Sequence, residues 1–524
     1  MTSGDETANA GTTRTFFGQP IGLSTLFLTE MWERFSFYGL RPLLVLFMSA
    51  ALLDGGFGFD RMEASAIVGI YAASVYLSSL PGGWIADRWL GLRKAVMIGA
   101  VLISLGHISI GISAFEAGKV AFFVGLVLIV LGTGLLKPNI SAMVGELYPE
   151  GGERRDAGFS IFYMGINIGS LAGQFLTGFL GESVGWHWGF GAAGVGMLIG
   201  LAVFVTRSKA TLGEIGNEVT IDPDPAKQAR QVLLVKATTG IGIAAIALVI
   251  FLVAVGTIQI DAVVWGEYFF YFLGAVALAY FLYIFTLGGL TKNEMKRMAV
   301  IAVLFVFASI FWAAFEQAPT SLNLFAKDFT VRTFMGFEVP ATWFQTVNSA
   351  FIIILAPVFA WLWIALGKRK INLSSPLKFA IGLAFAGLGF LFMIFAANIV
   401  VGSGGTTLVS PWWLVCSYFF QSAGELCLSP VGLSSMTKLS PKRFVGQMLG
   451  IWFLASAIGN LVAGLVGGNV DPNKLEQMPA LFSATTFALF ASAIILGLLS
   501  IPIAKMMKNR KGADQDLEIE TVMD

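Results

Sequence analysis

A chain of 524 residues that is 56% apolar and only 12% charged, with 46 Phe and 61 Gly, is too poor in charge for a water-soluble domain. It reads as an all-α polytopic membrane protein. A net charge of +1 excludes the strongly basic surface of a nucleic-acid binder. Two cysteines and two histidines supply neither a disulfide framework nor a metal site. Cys416 and Cys427 fall on one predicted helix, about 16 Å apart along its axis and beyond bridging distance.

In chain order, residues 1–19 are a polar tail without the segments of a cleaved signal peptide. Apolar runs then predict spans near 20–51, 64–88, 94–114, 119–148, 156–181 and 186–207. A connector with Asp222-Pro223-Asp224-Pro225 leads to two further spans near 233–257 and 266–290. Six more follow near 297–326, 341–367, 376–401, 410–438, 443–468 and 479–506. The organisation is fourteen transmembrane helices in two six-helix bundles, 20–207 and 295–508. They are separated by a linker, 208–294, that holds the extra pair in a peripheral packing role, and a tail at 509–524 ends the chain. With the N-terminus inside, loop and tail lysines and arginines divide into roughly 25 inside and about 5 outside, which makes both termini cytoplasmic. His107 is a packed or pore-facing helix residue, and His187, between Trp186 and Trp188, belongs to an interfacial belt.

The first span carries Glu30, Glu33, Arg34 and Arg41. Facing lipid, each would cost roughly 2.5–3.5 kcal/mol. Glu30, Glu33, Arg34, Phe37, Tyr38 and Arg41 instead fall on one helical stripe, which must face protein or a watery cavity. The opposite face, with Leu26, Leu28, Leu40 and Leu44, is free to meet lipid or other helices. A structural Glu30–Arg34 ion pair accounts for two charges but not for four with aromatics between them.

Seven ionisable groups lie deep: these four with Lys137, Glu316 and Glu425. Arg41 and Glu316 lie about ten residues, or roughly 15 Å, below the outer ends of their spans, and the others lie nearer the midplane. Four carboxylates against three cations balance if one carboxylate binds a proton, and a cation recruited by a substrate would free one to do so. The alternative is a structural network, which would more naturally balance to zero. Asn167 and Asn348 add polar groups, and Tyr38, Tyr76, Trp312, Phe315 and Trp452 are candidate walls.

These residues fall in motifs that resemble the proton-dependent oligopeptide transporter family of the major facilitator superfamily. The motifs are Glu30-x-x-Glu33-Arg34-Phe35, Phe162-Tyr163-x-x-Ile166-Asn167-x-Gly169, Lys137-Pro138-Asn139, Phe311-Trp312 with Glu316-Gln317, and Gly424-Glu425 with Ser429-Pro430. The loop from Gly83 to Lys94 resembles the short acidic–basic loop of that superfamily, with Asp87 as a helix-end partner for nearby arginines. The resemblance implies the major facilitator fold in a bacterial inner membrane and proton-driven import of di- and tripeptides by alternating access. It implies no cofactor beyond the proton gradient and a protein that functions as a monomer. Glu30, Glu33, Arg34 and Glu316 would serve proton coupling. Arg41 and Lys137 would hold the peptide carboxylate and Glu425 its ammonium. Asn167 and Asn348 would bond the peptide backbone, and Tyr38, Tyr76, Trp312 and Trp452 would line side-chain pockets. Arg41–Glu316 and Lys137–Glu425 would act as gating salt bridges. Within the same fold some members move nitrate or another small solute, and Glu425 would repel such a cargo unless paired. A channel would conduct without saturation, a sensor would need a sizeable soluble signalling domain that this sequence does not offer, and a membrane enzyme finds no metal spacing or nucleophile–base set.

Overall fold

The computed structural model describes residues 15–114, 118–150, 152–219, 221, 223–369 and 373–508. Residues 1–14 of the expected first tail, the tail at 509–524, Asp222 and Lys370 lie outside the described residues. The first bundle comprises α1 (Gly22–Ser49), α2 (Arg61–Ile85), α3 (Leu92–Ile112), α4 (Gly118–Glu146), α5 (Gly152–Phe179) and α6 (Trp186–Leu212). The inserted pair is α7 (Pro225–Ala254) and α8 (Ala262–Leu287). The second bundle begins with α9 (Lys292–Phe315), which runs through a π-turn at Ala318–Leu322 into the short α10 (Asn323–Phe329). It continues with α11 (Trp343–Lys368), α12 (Ser375–Gly402), α13 (Trp412–Leu439), α14 (Val445–Gly467) and α15 (Gln477–Lys508). Two small hairpins, β1 (Thr15–Phe16) with β2 (Gln19–Pro20) and β3 (Thr333–Phe334) with β4 (Phe337–Glu338), complete the described structure.

Each predicted apolar run has its helix. Among the described residues, twelve helical stretches are long and apolar enough to cross a membrane. The two long helices that fall short are α1 and α13, which carry Glu30, Glu33, Arg34, Arg41 and Glu425. Their polarity is tolerable because their charges face protein. Several helices start earlier than hydropathy suggests, because their first turns are polar and capped. Asp224 accepts from the backbone N–H of Ala226 at 2.9 Å and Asp261 from that of Val263 at 3.0 Å. Thr291 and Glu294 cap each other reciprocally at the start of α9.

In the first bundle α1 packs on α5 and α6, α3 on α4 and α6, and α2 on α4. In the second, α12 packs on α13 and α15, and α9 on α13, α14 and α15. The halves meet where α2 lies along α14 and α5 touches α11. Helix α1 is enclosed by protein: Leu26, Leu40 and Leu44 are fully buried, so the face left open to lipid by the sequence reading meets other helices. Helix α8 lies against both α2 and α14, while α7 exposes most of its length and touches the π-turn Ala86–Leu90 that follows α2. In that turn Asp87 is exposed without an ion pair among the described residues, and Arg88 donates to Gln231 of α7 at 2.9 Å. Arg88 acts on the Asp87 carboxylate through its charge, as expected of a helix-end partner, but no ion pair closes between them. The π-turn aims Arg88 at the inserted helix instead.

One face of the molecule, which we call the basic face, carries the loops with Arg88, Arg93, Lys94, Arg154, Arg155 and Lys368. The C-terminal ends of α1 and α9 lie at the opposite face, where the halves are tied together. Arg61 of α2 pairs with Asp328 of α10 at 2.5 Å and donates to the Val470 carbonyl at 3.0 Å. Asn323 donates to the Pro42 carbonyl at 2.8 Å. Among the described residues no hydrogen bond or ion pair directly joins the two six-helix bundles at the basic face.

Candidate functional site

The site is built on α1, and glycines of α5 set its position. A Cβ at Gly169 would stand 2.1 Å from the Met31 carbonyl, and one at Gly173 would stand 2.3 Å from that of Phe35. Only glycine allows α5 this close to the charged stretch of α1. Helical spacing then brings Glu30 Oε1 to 3.0 Å from Arg34 Nε, and Glu33 also pairs with Arg34. All three residues are at most 2% exposed. The Arg34 guanidinium lies over the rings of Phe37 at 5.3 Å and Tyr38 at 6.0 Å. One cation thus holds two carboxylates, an uneven balance in a dry environment.

About two turns farther along, Arg41 reaches the other half. Its Nη2 donates to Glu316 Oε2 at 2.6 Å and to Asn460 Oδ1 of α14 at 2.5 Å. The expected outer pair is therefore present, with a third partner that the sequence reading lacked.

Lys137 of α4 has no carboxylate within ion-pair distance among the described residues. Its Nζ lies over the Tyr76 ring at 4.1 Å and the Phe453 ring at 5.9 Å. It is close enough to Glu33, Glu30, Arg34 and Glu316 to interact electrostatically with each. Glu425 of α13, likewise without a cation at ion-pair distance among the described residues, stands beside Asn348. Asn348 Nδ2 donates to Ser422 Oγ at 2.8 Å. The expected Lys137–Glu425 salt bridge is thus not formed. Among the described residues no ion pair joins Lys137 of α4 to Glu425 of α13, although the bundles that carry them meet along α2 and α14.

The aromatic candidates gather in the same region. Tyr38 lies within electrostatic reach of Arg34, Glu316 and Glu425. Trp312 and Trp452 meet edge to face at 6.5 Å, and Trp312 Nε1 is a buried donor without a partner. Phe315 packs against Trp312 at 5.5 Å. Asn167 donates to the Tyr163 carbonyl one turn back at 3.0 Å. Tyr163 is 52% exposed yet interacts with both Glu425 and Tyr38, so its free surface looks into the space between the bundles. The sequence reading quoted Tyr163 only as part of a motif. It also missed Asn460 and Phe453. Asn460 had a signal, an amide deep inside the apolar run of α14, whereas Phe453 was one phenylalanine among many.

The other polar candidates lie elsewhere. His107 is packed inside the first bundle with Nε2 2.5 Å from Ser36 Oγ, and His187 contacts Phe47 and Phe190. Cys416 and Cys427 are free thiols on α13. Among the described residues no three His, Cys, Asp or Glu side chains converge as metal ligands would.

This arrangement, two bundles around a stripe of opposed charges on α1, can be set beside known proteins. The profile of the POT family matches residues 93–479. The chain belongs to the POT family. It is 50% identical over 499 residues to the peptide transporter YePEPT of Yersinia enterocolitica, covering 95% of this chain and 97% of that protein. It is 36% identical over 510 residues to a di-/tripeptide transporter of Lactococcus lactis, covering 95% and 98%. Its fold matches the crystal structure of a POT peptide transporter in complex with sulfate with a TM-score of 0.86 and 41% identity, covering 94% of this chain and 97% of that one. As a POT-family member the chain is an integral membrane transporter with the major facilitator fold, and not an enzyme.

Proposed function

We propose that this POT-family chain imports di- and tripeptides together with protons across a bacterial inner membrane, working by alternating access with its basic face in the cytoplasm. The observation that carries the reading is a pair of charged groups without an ion pair among the described residues, Lys137 on the first half and Glu425 on the second. A zwitterionic peptide presents a carboxylate and an ammonium at its two ends, and one of each sign waits on opposite walls. The backbone between the termini is common to every peptide, so Asn167 and Asn348 can serve all cargoes. Tyr38, Tyr76, Tyr163, Trp312 and Trp452 provide broad surfaces for variable side chains.

Proton coupling follows from the balance on α1. Arg34 is shared by Glu30 and Glu33, and Lys137 adds positive potential to both. When a peptide carboxylate engages Lys137, that potential is partly neutralised and the carboxylate pair holds a proton more readily. When the peptide leaves, Lys137 again favours the ionised pair. Closure by Arg41, Glu316 and Asn460, with no bond joining the bundles at the basic face among the described residues, supports reading this conformation as inward-open. The relatives named as peptide and di-/tripeptide transporters support the same substrate class.

The deciding measurement is uptake of labelled dialanine into proteoliposomes under an inward proton gradient. Saturable accumulation that collapses when the gradient is dissipated is expected. Absence of dialanine uptake together with proton-driven nitrate uptake would overturn the peptide reading.

A further inference from the structure

The two halves make a second contact at the face opposite the basic one, at the ends of α5 and α11, which has no part in the charge stripe. After Phe179, α5 continues through a π-turn, Leu180–Val184, that carries Glu182. Helix α11 begins after Thr342, whose own side chain makes no cap to the helix. The cap comes from the other half. Glu182 Oε2 accepts the Ala341 N–H at 2.9 Å, and Oε1 accepts the Thr342 N–H at 2.9 Å and the Thr342 hydroxyl at 2.8 Å. Arg332 stands 3.7 Å from the same carboxylate and is held by Glu338 at 2.6 Å and the Val339 carbonyl at 2.8 Å. Beside it the Trp343 ring stacks on Phe175 at 4.1 Å, and its Nε1 donates to the Phe175 carbonyl at 2.8 Å. Gly178 lets the surfaces close, because a Cβ there would stand 2.1 Å from Thr342 Oγ1.

We propose that Glu182 is a positioning residue for the transport cycle: a latch that caps α11 from the opposite half and holds the outer side closed. The inference rests on the alternating-access reading above. Opening this side parts α5 from α11, withdraws the carboxylate from the turn that leads into α11 and leaves the Ala341 and Thr342 N–H groups to water. Both carboxylate oxygens and a nearby arginine are engaged, so the contact consists of charge-assisted bonds rather than a loose surface approach. It sits apart from Glu30, Glu33 and Lys137, so it sets the balance of the two conformations without taking a place in proton exchange.

The test reads conformation directly and needs no transport. In a chain with both cysteines replaced, spin labels at Leu53 and Met335, fully or almost fully exposed residues of opposite halves, report the distance across the outer side in lipid nanodiscs. Glu182→Ala should raise the population with the longer separation about 10-fold or more, from the loss of charged hydrogen bonds. The isosteric Glu182→Gln, which keeps one acceptor, should give a smaller rise. Gly178→Ala should act as a wedge and shift the distances the same way. Amide exchange at Ala341 and Thr342 should accelerate in step with that population. Glu338→Ala removes only an exposed partner of Arg332 and should change the distribution least. If Glu182→Ala does not fold, the Gln and Gly178 variants carry the test alone. Unchanged distances in folded variants would overturn the latch while leaving the peptide reading intact. Failure of dialanine uptake in the unaltered protein would overturn that reading without moving the labels.

Discussion

Arg41 has two partners from the second half, and they differ in kind. Removing Glu316 strands a buried guanidinium beside a neutral amide, a change worth about 3–5 kcal/mol when no other group compensates. Removing Asn460 deletes one hydrogen bond to a charge, worth about 1.5–3 kcal/mol. Glu316→Ala should therefore lower the thermal unfolding temperature of the detergent-solubilised protein more than Asn460→Ala. An equal or reversed order would show that Arg41 leans chiefly on the amide. Lys137 makes no ion pair among the described residues; its closest contacts are to rings, worth roughly 0.5–2 kcal/mol, while its charge acts on Glu30 and Glu33 at longer range. Lys137→Ala should disturb unfolding less than Glu316→Ala and raise the KM for dialanine at least 10-fold. Normal affinity and rate would remove Lys137 from the binding site. The charges themselves were legible in the sequence because an ionisable residue inside an apolar run stands out. Their partners were less so: Arg41 and Asn460 are 419 positions apart, and nothing local predicts their meeting.

At the scale of elements, hydropathy located the helices because a membrane span needs a long apolar run, and it fell short at ends such as those of α7, α8 and α9, where a cap extends a helix into polar sequence. The same logic hid α10, a short continuation of α9 beyond a π-turn that the predicted span 297–326 absorbed. What hydropathy cannot register is closeness between helices. Along α2 and α14, Gly69 and Gly464 face each other across the halves so tightly that a Cβ at Gly69 would stand 2.8 Å from the Gly464 backbone. If the halves rock against each other at this seam, as alternating access requires, bulk there should separate them or jam them. Gly69→Val should cut dialanine uptake at least 10-fold while the protein still reaches the membrane, as read by surface labelling and initial rates. Wild-type rates would mean that the seam has slack which the backbone approach conceals. The peripheral role expected for α7 and α8 holds for α7, much of whose surface is open, but α8 touches both sides of this seam and thus bears on the joint.

For the molecule as a whole, the distinction that matters is between moving a peptide and being driven to move it. Two processes share the same rocking motion. Net accumulation requires the empty, deprotonated carrier to return, whereas exchange of labelled for unlabelled peptide requires only the loaded carrier to shuttle. Glu33 shares Arg34 with Glu30 and lies within the field of Lys137, so in the proposed mechanism its charge state follows peptide binding. Glu33→Gln fixes it in the form that a bound proton would give. The variant should lose gradient-driven accumulation of dialanine almost completely and retain counterflow within about 3-fold of the unaltered protein, measured in the same proteoliposomes with and without a proton gradient. Loss of both activities would make Glu33 a structural support of α1. Retention of both would place proton coupling elsewhere, with Glu30 and Glu425 next to be replaced. Only the first pattern, exchange without accumulation, fits a carrier whose cargo site and proton site communicate through the single guanidinium of Arg34 and the unpaired ammonium of Lys137.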